Sequence, residues 1–188
     1  MKYISKGIVV NGSTEQILHV TRCGVDFQLT GEQAALWLNG RFAFAQCQME
    51  NPRFRVALEQ LRRQELVELA KADEAGEYRA LTQCVLIPAK VSGFRAPLRT
   101  QEKWVLQWLC EAGMHLTMAE LVFLREHGME PESQWLGEEN RQKLTEAIYT
   151  GETIFDNILE AQMEHAGCRD MVVRDVLSLL KKKRILIL

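Results

Sequence analysis

The sequence of 188 residues predicts an α+β protein that is mainly helical and that opens with a β-hairpin. Three observations carry this prediction. Apolar residues recur at helical spacing through residues 51–63, strand-like runs lie on both sides of that segment, and capped helical segments follow one another in the second half. Because 47% of the residues are hydrophobic, the chain has enough apolar side chains for a sizeable core.

The N-terminal hairpin is predicted from two strand-like runs, Tyr3–Val10 and Ile17–Val20, with Asn11, Gly12 and Ser13 as the turn between them. The same three turn residues match a glycosylation sequon. No basic-then-apolar leader follows Met1, and no apolar run is long enough to cross a bilayer. We therefore expect a cytoplasmic protein without a membrane partner and read the sequon as a turn.

A longer helix is predicted from Asn51 to Arg63, with Pro52 in its first turn. Four apolar side chains recur at three- and four-residue steps and so share one helical face. They are Phe54, Ala57, Leu58 and Leu61. The remaining surface is basic, with Glu59 as its acid, and its arginines are Arg53, Arg55, Arg62 and Arg63.

The segments around this helix complete a recognisable order of elements. Thr30 and Gln33 have the spacing of a capping box, which predicts a helix that Gly40 ends, and a second small helix is expected around 42–46. After the longer helix, residues 66–71 read as a strand, 73–77 as a turn containing Gly76, and Tyr78–Ile87 as the return strand.

The order of helix, short helix, longer helix and hairpin over residues 30–88 resembles the winged helix-turn-helix family. This resemblance implies that the third helix enters the major groove of duplex DNA and that the hairpin, or wing, lies over the backbone or the minor groove. Carried onto this sequence, it implies five DNA-contacting residues. They are Arg53, Arg55, Arg62 and Arg63 on the helix and Arg79 on the wing. The alternative is that these arginines only solvate an outer face.

Charge is distributed unevenly along the chain, whose formal net charge is −2. Residues 1–98 hold 12 Lys and Arg against 10 Asp and Glu, whereas residues 99–188 hold 11 against 15. Between Glu120 and Glu164 there are 11 acids and only three bases. That acidic segment should repel phosphate, and it suits either a partner surface or solubility.

A domain boundary is predicted in residues 89–98, where Ser92, Gly93 and Pro97 interrupt the periodicity, which gives domains 1–92 and 93–188. In the second domain, one helix is predicted from Thr100 to Gly113. Thr117 and Glu120 form a second capping box at the start of another helix. Further helices are predicted over 138–149, 153–166 and 170–182.

The end of the chain has two interpretations. The helix over 170–182 leads into four cations, Lys181–Arg184, and a strand-like run, Ile185–Leu188, which resembles the close of a second winged helix without its wing. Either the C-terminal half contains a degenerate second winged helix, or this half is a helical bundle of another design. A second copy implies secondary DNA contacts by Arg174, Ser178 and Lys181. The apolar terminal run should be paired within the chain or across a dimer.

Catalytic and cofactor motifs are absent from the sequence, which has no phosphate-binding glycine loop, nucleophile elbow or metal-ligand spacing. The five cysteines are scattered and are expected to be reduced and mostly buried. The sequence thus predicts a non-enzymatic, DNA-associated protein similar to transcriptional regulators. The alternative is a protein-interaction or assembly module, built on winged-helix-like domains, that binds a protein partner or a second copy instead of DNA.

Overall fold

A computed structural model describes residues 1–14, 16–71, 76–82, 84–89, 96–110, 116–131, 142, 146 and 166–188. Within these residues it has six helices and three small sheets, which confirms the α+β class. The chain divides into two compact units, one of Met1–Cys84 with Leu186–Leu188 and one of Val85–Ile185. No helix in the described part is both long and apolar enough to cross a bilayer.

The first unit contains two three-stranded antiparallel sheets. Its strands are β1 (Lys2–Ser5), β2 (Ile8–Val9), β3 (Ile17–Arg22), β4 (Val25–Thr30), β5 (Ala45–Gln46) and β6 (Val67–Ala70). One sheet has the order β5-β1-β6 and the other the order β2-β3-β4. The predicted N-terminal hairpin is therefore present as β2 and β3, but β1 belongs to the other sheet.

Three helices accompany these sheets, α1 (Gly31–Asn39), α2 (Pro52–Arg63) and α3 (Gly76–Thr82). The prediction for α2 is confirmed: Asn51 caps it by accepting from the amide of Arg53 at 3.0 Å, and Pro52 is its first residue. Its inward residues pack with α1 in one core, together with Trp37 and Tyr3, which are fully buried. The position of α2 is thus fixed by its apolar face.

The C-terminal end of α2 forms a Schellman motif. The amide of Leu66 donates to the carbonyl of Leu61, and that of Glu65 to the carbonyl of Arg62, both at 2.9 Å. Glu65 adopts a positive φ of 57° where glycine is usual. Lys183 occupies the same position, with φ of 55°, at the end of the last helix of the chain.

The prediction of a wing is wrong, because the two expected strands do not pair with each other. β6 pairs with β1, which lies far from it in sequence, and residues 78–82 of the expected return strand lie in the helix α3. Tyr78 and Leu81 are buried one helical turn apart, so the apolar residues of this segment fit a helical face as well as a strand. Only Val85–Pro88 is extended, and it belongs to a third sheet.

Two smaller predictions in the first unit are also wrong. Thr30 lies at the N-cap of α1, but its side chain makes no capping hydrogen bond, so the expected capping box is absent. The short helix expected around 42–46 is replaced by β5, because Lys2 and Tyr3 of β1 pair with residues 45 and 46. At β5, strand pairing with residues distant in sequence overrides the local signal.

The second unit contains α4 (Thr100–Cys110), α5 (Met118–Glu126) and α6 (Ala166–Lys181). Its strands are β7 (Val85–Pro88) and β8 (Leu116–Thr117). The third sheet has the order β8-β7-β9, and of β9 (Ile185–Ile187) only Ile185 is counted in this unit. The capping box of Thr117 and Glu120 is confirmed at the start of α5. The helices predicted over 138–149 and 153–166 fall almost entirely outside the described residues.

The C-terminal run is paired within the chain, which confirms one of the two predicted alternatives. β9 lies beside β7 in the sheet, and the amide of Gly7 donates to the carbonyl of Ile187 at 2.7 Å. Ile185 and Ile187 are buried. The five cysteines, all among the described residues, form no disulfide, but Cys23 and Cys110 are exposed, so the prediction of mostly buried thiols was wrong for these two.

Candidate functional site

The four arginines of α2 lie on its solvent side. The exposed fraction of the side chain is 83% for Arg53, 52% for Arg62 and 76% for Arg63, and Arg55 is also exposed. Helical geometry explains this placement, because the opposite face is occupied by the apolar residues that enter the core. The structure therefore brings together, on one helix, four of the five primary site residues that the sequence predicts.

Glu59 divides these arginines into two pairs. Its carboxylate accepts two hydrogen bonds of 2.9 Å from Arg62 and one of 3.2 Å from Arg63. These hydrogen bonds, that of Arg62 foremost, lower the pKa of Glu59 to about 2. Glu59 is therefore ionised at neutral pH, and it offsets part of the positive charge at the C-terminal end of α2.

The N-terminal pair is less neutralised. Arg53 lies 3.8 Å from Glu32, and the guanidinium of Arg55 has no ion-pair partner among the described residues. Cations near the N-terminus of a helix oppose its dipole, which typically costs about 0.3 to 1 kcal/mol each. Arg53 and Arg55 therefore do not stabilise the helix through its dipole.

A groove of about 510 Å³ runs along α2 and combines charged with apolar side chains. Arg55, Arg62 and Arg63 line it, together with five apolar residues, Met1, Met49, Val56, Leu58 and Leu69. We call this feature the α2 groove. Val56 is 55% exposed, Met1 55% and Met49 36%, which is unusual for large apolar side chains that lie close together.

The sequence interpretation missed the apolar half of this groove. Val56 is a single apolar residue on a charged helix face, and such residues are common on protein surfaces. Met1 and Met49 precede β1 and α2, respectively, and reach the same groove only because β1 and β5 pair as neighbouring strands. No local signal in the sequence links these residues.

Arg79, the predicted wing residue, lies on α3 instead of on a strand. It is exposed, and its carbonyl accepts a hydrogen bond of 2.7 Å from the hydroxyl of Thr82. Arg79 does not line the α2 groove. The structure thus removes the wing context in which the resemblance gave Arg79 a role.

The three secondary candidates for DNA contact, all on α6, differ in their exposure. Arg174 and Lys181 are exposed as predicted, but Ser178 is half-buried and hydrogen-bonds Glu102. The prediction that Ser178 faces outward was therefore wrong. Its hydroxyl belongs to a buried polar cluster, because α4 packs against that side of α6.

The centre of this cluster is Glu102, whose side chain is fully buried. Lys182 donates to both carboxylate oxygens, at 2.9 and 2.7 Å, and the amide of Arg99 donates at 2.7 Å. Burial alone would raise the pKa of Glu102, but the hydrogen bonds from Lys182, Ser178 and Arg99 bring it down to about 2. Lys182, one of the four consecutive cations Lys181–Arg184, therefore has a structural role.

No group of three or more potential metal ligands occurs in the described residues. The side chains that line the α2 groove are mainly cationic and apolar, and Glu59 is the acid among them. Comparison with protein-family models, with curated proteins and with solved structures finds no match to this chain.

Proposed function

We propose that this chain is a binding protein rather than an enzyme and that the α2 groove is its binding surface. The observation that carries the proposal is the exposure of Val56, Met1 and Met49 beside three arginines in a groove of about 510 Å³. Exposed apolar clusters bordered by polar groups are typical of interaction sites. Arginine and methionine are both enriched in such sites.

The ligand that fits this groove best is an acidic, amphipathic segment of a protein partner. Its carboxylates would pair with Arg55 and Arg63, and its apolar side chains would cover Val56 and the two methionines. An amphipathic helix presents these two kinds of side chain on adjoining faces and commonly docks in such grooves. This is the interaction-module alternative of the sequence analysis, now with a surface assigned to it.

Duplex DNA is the second candidate, and a role in transcription regulation would follow from it. The exposure of Arg53 and Arg63 favours DNA, as does the resemblance to winged helix-turn-helix proteins. Two observations rank it second. Glu59 engages Arg62 and Arg63, and the segment after β6 contains α3 where the resemblance requires a wing.

The experiment compares two labelled probes by fluorescence anisotropy on the full chain. One is an acidic peptide of about 16 residues with leucines at helical spacing, and the other is a DNA duplex. A peptide of the same composition in scrambled order tests whether amphipathicity matters. Val56→Asp should abolish peptide binding, because it places a carboxylate in the apolar part of the groove. Val25→Asp is the matched control, since Val25 is 54% exposed on β4.

The double variant Arg55→Glu with Arg63→Glu should abolish binding of either probe. Peptide binding that depends on Val56 but not on Val25 supports the protein partner. Salt-sensitive duplex binding that Val56→Asp leaves intact, without peptide binding, assigns the surface to DNA instead. Binding of neither probe at low salt contradicts the proposed function.

A further inference from the structure

A second cleft, of about 400 Å³, lies at the C-terminal end of α2 and is lined mainly by charged side chains. Three are cationic, Lys6, Arg22 and Arg62, and two are acidic, Glu65 and Glu68. Arg62 is already hydrogen-bonded to Glu59. Lys6 and Arg22 are therefore the two cations whose N–H donors need acceptors within the cleft. We call this feature the Lys6 cleft.

Lys6 is an unusual residue for this position, because its side chain is only 5% exposed. It follows β1, where its backbone is held by two hydrogen bonds: its amide donates to Leu66 and its carbonyl accepts from the indole of Trp37. An ammonium group has three N–H donors. Only one of them has an acceptor among the described residues, the carboxylate of Glu68 at 2.9 Å.

Arg22 adds further unsatisfied donors. Its side chain is 17% exposed, one terminal nitrogen donates to Glu65 at 2.6 Å, and its Nε is buried without a partner among the described residues. Buried polar groups are normally paired, so an excess of donors at one place calls for acceptors. An oxyanion supplies several acceptor oxygens, and guanidinium and ammonium groups are its usual ligands.

The carboxylate of Glu65 accepts from Arg22, and an oxyanion bound in the cleft would take its place. Its side chain is 70% exposed, so its carboxylate is able to leave Arg22 for water without crossing the protein interior. Its backbone has the positive φ of 57° that L-residues rarely adopt. Glu65 is therefore a displaceable partner of Arg22, whereas Glu68, which is only 28% exposed, stays with Lys6.

We propose that the Lys6 cleft binds a phosphate group, with Lys6 and Arg22 as its ligands and Glu65 as the carboxylate that it displaces. With Glu65 and Glu68 in place the two cations are fully neutralised, and displacement of Glu65 leaves one net positive charge in the cleft. Displacement therefore favours the binding of an anion such as phosphate. The phosphate is either inorganic or part of a larger molecule. The proposal does not rest on the proposed function of the α2 groove, although Arg62 and Leu69 line both features.

The test is a titration of the full chain with inorganic phosphate, followed by NMR. The indole N–H of Trp37 reports on the cleft, because it donates to the carbonyl of Lys6 at 3.0 Å. We expect a saturable shift of this resonance with phosphate and none with chloride at equal ionic strength. O-phosphoserine is titrated in parallel: equal affinity indicates free phosphate, and tighter affinity indicates a phosphate carried by a larger molecule.

Three variants discriminate specific binding from general attraction. Arg22→Gln should weaken phosphate binding at least about tenfold, since it removes a charged ligand worth about 1.4 kcal/mol or more. Glu65→Gln should tighten binding several-fold, because it removes the competing charge. Arg53→Gln is the matched control: it removes the same charge as Arg22→Gln from a side chain that is 83% exposed outside the cleft, and it should leave the affinity unchanged.

Absence of a saturable shift in the unaltered protein overturns the proposal. So does a Glu65→Gln variant that binds phosphate no more tightly, because Glu65 would then be a structural partner of Arg22 rather than a competitor. An equal loss in Arg53→Gln and Arg22→Gln also overturns it, since it would indicate attraction to the whole surface. If circular dichroism shows that the Arg22→Gln variant is unfolded, the proposal is decided by whether Glu65→Gln raises or lowers the affinity for phosphate.

Discussion

The carboxylate of Glu59 holds the guanidinium of Arg62 through two hydrogen bonds of 2.9 Å, from Nε and from one terminal nitrogen. Arg63 joins the same carboxylate from the next position. This bidentate geometry fixes the orientation of Arg62 and directs its charge toward a neighbour on its own helix. Part of the positive charge that the sequence indicates for α2 is thus neutralised by an acid of the same helix, without any ligand.

Glu59→Gln should therefore strengthen the binding of anionic ligands along α2. It removes the acid that engages Arg62 and Arg63, and it raises the net charge of the helix surface by one. We expect tighter binding of both the acidic peptide and the DNA duplex at low salt, with a steeper loss of affinity as salt rises. Fluorescence anisotropy at several salt concentrations measures this. Glu77→Gln, which removes the partner of Lys2, is the control and should bind as the unaltered protein does.

The buried Glu102 should make the protein sensitive to acid. Its folded pKa of about 2 is below its ordinary value, so its stabilising contribution is complete above about pH 5 and is lost as the pH falls toward 2. Glu102→Gln should lower the free energy of unfolding by about 3 kcal/mol at neutral pH, because Lys182 loses its carboxylate partner. Urea unfolding at neutral and acidic pH tests this.

At acidic pH the difference between the Glu102→Gln variant and the unaltered protein should shrink. Asp170→Asn is the control on α6, since the side chain of Asp170 is 69% exposed and pairs only with neighbouring Arg169 among the described residues. An equal difference at both pH values would contradict a role for the ionised carboxylate.

Gly40 is expected to tolerate no side chain. A Cβ at this position would lie 2.6 Å from the hydroxyl of Ser5 and 2.7 Å from the ring of Tyr3, both of which are buried. Gly40→Ala should therefore cost about 2 kcal/mol of stability through overpacking. Gly167→Ala provides the contrast, because a Cβ there meets nothing within 4 Å and α6 should gain up to about 1 kcal/mol. Denaturant melts that give both substitutions the same sign would contradict this explanation.

The C-terminal strand should contribute strongly to stability without holding two chains together. Ile187 is 2% exposed, and truncating a buried isoleucine to alanine costs about 3 kcal/mol. We expect Ile187→Ala to lower the melting temperature while light scattering gives an unchanged mass. Met171→Ala is the control, since Met171 is 44% exposed. A change in mass would indicate that the strand pairs between chains.

The sequence by itself determined those elements whose signals lie within a few residues. The helix Pro52–Arg63 follows from one apolar face, an asparagine cap and an early proline, and the helix Met118–Glu126 follows from the capping box of Thr117. The exposure of Arg53, Arg55 and Arg63 follows from the same helical periodicity. Periodicity specifies which face of an element is apolar, because that property depends only on near neighbours.

Only the tertiary structure decided which elements meet. β6 pairs with β1 instead of with the segment that follows it, and that choice replaces the expected wing with α3. The pairing of β1 with β5 brings Met1 and Met49 to α2, and the pairing of β1 with β6 brings Lys6 to Glu68. Hydrogen bonds between strands join residues that are far apart in the chain, and local spacing contains no information about the partner. The helices α1, α2, α4 and α5 and the exposed arginines of α2 were therefore predictable, whereas α3, the groove and the cleft were not.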